Sequence, residues 1–159
     1  VVKVPQEYMR NVHVTHFTEE GKVKDNLVAT YWGYLPDEGI SKIIDPHLTI
    51  VKPNDALWLV DAKHGIAKHP ELQSKIEELE LYDNVVIKRP KNSLNNSVKV
   101  TTEQMFYYPD TEFVRSEKFV RMIKPGVTVT GIGLKGYLNK DWVELQKDVK
   151  TIYIASEVS

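Results

Sequence analysis

The side chains best able to ligate a metal or shuttle a proton are five histidines, and their spacing decides what they can do. His13 and His16 sit in an alternating run whose parity sends them to opposite faces of a strand. His64 and His69 flank a predicted turn, and His47 stands alone. This spacing fits solvated or core-edge histidines rather than a ligand set, so neither a metal nor another cofactor is expected. Carboxylates are numerous, but Glu19, Glu20, Asp37, Glu38, Glu77 and Glu78 fall in turns and on polar faces. General acid–base work needs two carboxyl groups held in one pocket. No Gly-rich loop runs into Lys-Ser or Lys-Thr, and no serine sits in a nucleophile elbow. Gly131-Ile132-Gly133 lies inside a strand pattern, where glycine marks a bulge or a close backbone approach. The residues point away from catalysis.

The elements that would position these side chains read as strands. β-Branched and aromatic residues alternate with polar ones in Val12-His13-Val14-Thr15-His16-Phe17, Leu48-Thr49-Ile50 and Val127-Thr128-Val129-Thr130. Pro36, Pro53, Pro70, Pro90, Pro109 and Pro125 fall between such runs. Pro70 to Leu81 is ambiguous, with Leu72, Ile76 and Leu79 at helical spacing; a short helical turn or loop near 70–77 followed by a strand is expected.

Two motifs alternate along the chain. The first is apolar–small–apolar–apolar with a one-residue phase shift after the small position. It reads Leu27, Ala29, Trp32, Tyr34, then Val60, Ala62, Gly65, Ala67, then Val100, Thr102, Met105, Tyr107, and last Val129, Gly131, Leu134, Gly136. A β-bulge produces such a shift by inserting one residue and re-aiming the side chains. The second motif pairs back after a polar turn: Tyr8/Val12/Val14, Ile44/Leu48/Ile50, Leu81/Val85/Ile87, Ser116/Val120/Met122 and Leu145/Val149/Thr151. The chain therefore reads as an all-β domain of stacked hairpins, each needing its neighbours to bury one face. By the same parity Trp32, Tyr34, Trp58, Tyr107 and Tyr153 join the inward face, either filling a core or lining an open groove.

Composition narrows the partners. With 21 basic and 22 acidic residues the formal net charge is −1, which offers no overall basic field for nucleic acid. The absence of cysteine suits an oxidising periplasm and the cytosol alike. No apolar run approaches the roughly 20 residues needed to span a bilayer.

Several stretches resemble the LptC family: Val12 to Gly21 followed by Leu27-Val28-Ala29, Tyr34-Leu35-Pro36-Asp37, Asp45-Pro46-His47-Leu48-Thr49, Trp58 to Ala62, Leu81 to Val85, and Thr101-Thr102-Glu103 to Tyr107-Tyr108-Pro109-Asp110. Lys63 departs from the acidic residue common in the family at that place. The resemblance implies an open, twisted antiparallel β-jellyroll over 8–155, with 1–7 as a linker following a missing membrane anchor and 156–159 as a tail. It implies a non-catalytic carrier at the periplasmic face of the inner membrane, taking lipopolysaccharide from an LptF/LptG transporter and passing it to LptA. The lipid groove would be lined by Val12, Val14, Trp32, Tyr34, Ile43, Leu48, Trp58, Val60, Met105, Tyr107, Val129, Leu134, Val143 and Tyr153. Partner edges would lie at Val12 and Phe17 on the transporter side and at Val143, Leu145, Val149 and Tyr153 on the LptA side. The rival readings are a packed β-scaffold for protein interaction without lipid cargo, and a soluble LptA-like bridge.

Overall fold

A computed structural model describes residues 7–52, 56–71, 74–92 and 96–154. Alternating apolar residues build eleven antiparallel strands in one sheet: β1 (Glu7–Phe17), β2 (Val23–Leu35), β3 (Ile40–Ile44), β4 (His47–Val51), β5 (Leu57–Asp61), β6 (His64–Lys68), β7 (Glu78–Arg89), β8 (Val98–Tyr108), β9 (Phe113–Lys124), β10 (Val127–Tyr137) and β11 (Trp142–Tyr153). β3 and β4 pair with the two ends of β2 in an unbroken register, so they are halves of one ribbon interrupted at Asp45-Pro46. β5 and β6 are likewise halves of one ribbon, pairing with β4 and β3. The eleven strands thus form nine bent ribbons, with β1 at one edge of the sheet and β11 at the other.

The bend is written in the backbone. Asn11, Asp45, Asp83, Asn84, Gly133 and Asp148 all adopt positive φ, between 51° and 86°, in the middle of their ribbons. Only glycine visits that region freely, and Asn and Asp tolerate it best among the rest. Five of the nine ribbons carry such a residue at the same level, and the sheet folds over itself into two facing halves. The phase shift expected from the repeat is this bend seen from the side chains. All members of the first motif are buried or half-buried, across the kink as well as before it. The glycine pair behaves as expected, with Gly133 at a register shift between Ile132 and Leu134.

Two members of the second motif are corrected. Tyr8 and Ile44 point outward, 62% and 42% exposed, and Tyr8 stacks on Tyr31 at 6.2 Å. Met9, opposite Trp32, and Ile43, opposite Trp32 on the other flank, take the inward places. The reason is local: in these two ribbons the left-handed residue lies two positions after Met9 or Ile43, so the inward series steps by three or by five rather than by four. The stretch before β7 is a loop of bends rather than a helical turn, and Leu72 lies outside the described residues. Pro70 and the Ser74 bonds to Glu71 shape it locally, while Ile76 is drawn inward to 7% exposure.

Candidate functional site

Between the two halves lies one continuous apolar cluster. Ile43, Leu48, Trp58, Val60, Met105, Tyr107 and Leu134 are each at most 3% exposed. Val12 and Tyr34 are also buried. The end-to-end slot implied by the resemblance is therefore closed in its middle by the chain's own side chains. Trp58, Met105 and Tyr107 are each about 1% exposed or less and fill the space between the halves there. Burial pushes the Tyr107 hydroxyl well above its ordinary range, and that hydroxyl has no hydrogen-bond partner among the described residues.

At the β1 edge the inner face opens. A cavity of ≈ 560 Å³ is lined by Met9, Val14, Trp32, Ile76, His16, His69, Ser74 and Lys75. β1 places Met9, Val14 and His16 on one inward row because Asn11 resets the alternation. His16 Nδ1 lies 2.5 Å from the Asp25 carboxylate, which is almost fully buried. That hydrogen bond, outweighing partial burial, raises the His16 pKa above its ordinary value. His69 Nδ1 donates to the Glu71 carbonyl at 2.6 Å, since a carbonyl can only accept. Its Nε2 lies 2.7 Å from the Ser41 hydroxyl, and the ring packs against Trp32 and Tyr34. Trp32 Nε1 is buried with no partner among the described residues.

At the β11 edge the inner face is again uncovered. Val129, Val143 and Leu145 are half-buried against the cluster. Beyond the kink at Asp148 none of the described residues covers the face, so Val149 is 51% exposed and Tyr153, beside Val127, 78%. Phe17, at the end of β1, is 61% exposed. Among the described residues both outermost strands pair along one side only, as edge strands do.

The free ends of the two halves meet along a seam. Asp141, at the β10–β11 turn, accepts from Trp58 Nε1 at 3.0 Å and pairs with Lys52 Nζ at 2.5 Å. Arg89 stands 3.9 Å from the same carboxylate and over the Trp58 ring. Lys24 Nζ donates to the Pro109 carbonyl at 3.0 Å, tying the β1–β2 end of one half to the β8–β9 turn of the other. The seam is polar, while the cluster beneath it is mainly apolar.

Sequence reasoning missed Met9, Ile76, His69 and Asp141. Met9 was recoverable from Asn11, a residue type that favours positive φ. Asp141 was not, because its partners Lys52, Trp58 and Arg89 come from three distant ribbons. The other histidines behave as solvated or edge residues: His47 and His64 pair with Asp61 and Asp83 on the outer face at 2.5 and 2.7 Å, and His13 is exposed. Among the described residues no three His, Cys, Asp or Glu side chains gather as a metal site, and no helix is long and apolar enough to cross a membrane.

The fold is similar to the crystal structure of LptH from Pseudomonas aeruginosa, the LptA-homologous periplasmic component of a lipopolysaccharide transport device. The match has a TM-score of 0.59 at 8% identity and covers 91% of this chain and 96% of that one. Among curated proteins no sequence matches the chain. A family model described as lipopolysaccharide-assembly, LptC-related, matches residues 2–154. With an all-β sheet folded on itself and a match over nearly its whole length, the chain belongs to the LptC-related family of lipopolysaccharide assembly.

Proposed function

We propose that this chain is a non-catalytic carrier that takes the acyl chains of lipopolysaccharide between its two sheet halves at the β1 edge and releases them at the β11 edge. In this reading a transporter of the LptF/LptG type docks at the β1 edge, on the periplasmic face of the inner membrane, and an LptA-type bridge docks at β11. The observation that carries the reading is a predominantly apolar inner face that is uncovered, among the described residues, at both edge strands. Burial is worth about 0.8 kcal/mol per methylene, so acyl chains favour such an interior without directional bonds and can slide along it. An unpaired edge strand accepts a neighbour's strand by backbone pairing, which would extend the interior from one domain to the next. Because the centre is filled, passage requires the halves to part, and the polar seam at Asp141 is where they would separate.

Photo-crosslinkers at Met9, Val14, Val143 and Tyr153, with lipopolysaccharide present, test this. Capture is expected at all four and not at the outward Lys42. Equal capture at Lys42 would defeat the carrier reading. The filled centre itself favours a second reading, a packed interaction scaffold without lipid cargo, and absence of capture at every inward position would establish it.

A further inference from the structure

Outside the interior, one surface differs in charge from the rest. On the outer face of the half that holds the C-terminal parts of β7, β9 and β11, cross-strand pairing sets Lys88 beside Lys99, Lys99 beside Ile123, and Ile123 in line with Ile152 across Thr128. The next row brings Arg121 in line with Lys150 across Thr130, and a third sets Phe119 beside Ile132 and Ile132 beside Lys147. All five cations are exposed, and none is in an ion pair among the described residues. Phe119, Ile123, Ile132 and Ile152 are 38–58% exposed between them. The first two rows carry no carboxylate from β7 to β11; Glu103, Glu117 and Asp148 lie at the bend beyond them.

The outer face of the other half is built differently. Its row from Lys42 through Glu80, Arg115 and Lys135 to Glu144 carries both signs, three cations and two carboxylates. Part of that face is engaged internally, where Tyr108 donates to Glu78 at 2.8 Å and accepts from Arg115 at 2.9 Å. The net charge of −1 therefore hides a one-sided cationic face.

We propose that this face docks on an anionic phospholipid surface. Three features select a bilayer over a protein. The cations are spread across a sheet face, roughly 19 Å from β7 to β11 at about 4.8 Å per strand, rather than gathered round one point. Four of the five are lysines, which protein interfaces disfavour but which suit a plane of phosphates as hydrated point charges. The isoleucines and the phenylalanine between them can sink into the boundary between headgroups and acyl chains.

The test is flotation of the 159-residue chain with lipopolysaccharide-free vesicles, so its outcome is independent of the interior. Binding is expected to vesicles of equimolar phosphatidylcholine and phosphatidylglycerol, not to phosphatidylcholine alone, and to fall as salt is raised. Each cation contributes about fivefold, so Lys99→Gln, Arg121→Gln and Lys150→Gln together should weaken binding by about a hundredfold. Lys42→Gln, Lys68→Gln and Lys135→Gln on the other half should leave it unchanged. The salt series on the unsubstituted chain reads the same electrostatics should a variant misfold. No binding to the anionic vesicles, equal binding to neutral ones, or equal loss in both triple variants overturns the proposal. So does capture by polyglutamate in place of the vesicles, which would assign the face to an acidic protein.

Discussion

Asp141 shows how much one residue can hold. It sits at φ 51°, a backbone conformation that Asn shares more readily than other side chains, and its carboxylate faces Lys52, Trp58 and Arg89. Asp141→Asn keeps the turn and an acceptor for Trp58 but leaves Lys52, only 6% exposed, without its counter-charge. An uncompensated buried charge is strongly destabilising, and the partial exposure of Asp141 moderates this to about 1–3 kcal/mol. Urea unfolding of the variant measures it. If the seam is also the line along which the halves part, the same variant crosslinks lipopolysaccharide more readily at Met9 while being less stable.

His16 belongs to the same scale. Its folded pKa lies above the ordinary 6.5 because the Asp25 carboxylate accepts its hydrogen bond. The stability it contributes is therefore complete below 6.5 and is lost as pH rises through the folded value. Thermal unfolding followed from pH 6 to pH 8 is expected to show this decline, and His16→Gln to flatten it. A slope unchanged by the substitution would assign the pH dependence to other groups.

The ribbons depend on residues too small or too permissive to be replaced. A Cβ built on Gly136 would stand 2.8 Å from the Trp142 carbonyl oxygen and 3.1 Å from a Val143 methyl, so β10 and β11 could not keep their spacing. Gly136→Ala is expected to cost about 1–3 kcal/mol, as overpacking does. The loss should appear as faster hydrogen exchange across β11 before the rest of the sheet. Uniform loss across all ribbons would mean that β11 is not a separately stable element. The αL residues in mid-ribbon make the complementary point: Asn11, Asp45, Asp83, Asn84 and Asp148 lie where a uniform β-propensity would place none of them, and the fold turns on them.

At the scale of the molecule, a sheet with two free edges invites extension. Residues 149–154 are exposed throughout and contribute nothing to the core cluster. Deleting 149–159 should therefore leave the fold standing, with an unfolding midpoint close to that of the full chain. Binding of an LptA-type partner, measured by calorimetry, should be abolished if that edge is the joint. Retained affinity would move the joint elsewhere.

Strand parity, turn chemistry and the repeat were legible along the chain, because alternation and Asn/Asp/Gly preference act over a few residues. They account for the all-β fold, the inward positions of Trp32, Trp58, Met105 and Tyr107, and the bulge at Gly133. Tyr8 and Ile44 were misplaced because one left-handed residue shifts a ribbon by one position, and alternation alone does not register it. Whether the interior is open or filled, and where the seam closes, depended on contacts between residues such as Lys52 and Asp141 that are far apart in the chain. Such contacts arise only once the sheet has folded over. The one-sided cationic face is of the same kind: local composition is balanced, and only cross-strand register gathers Lys99, Arg121 and Lys150 on one side.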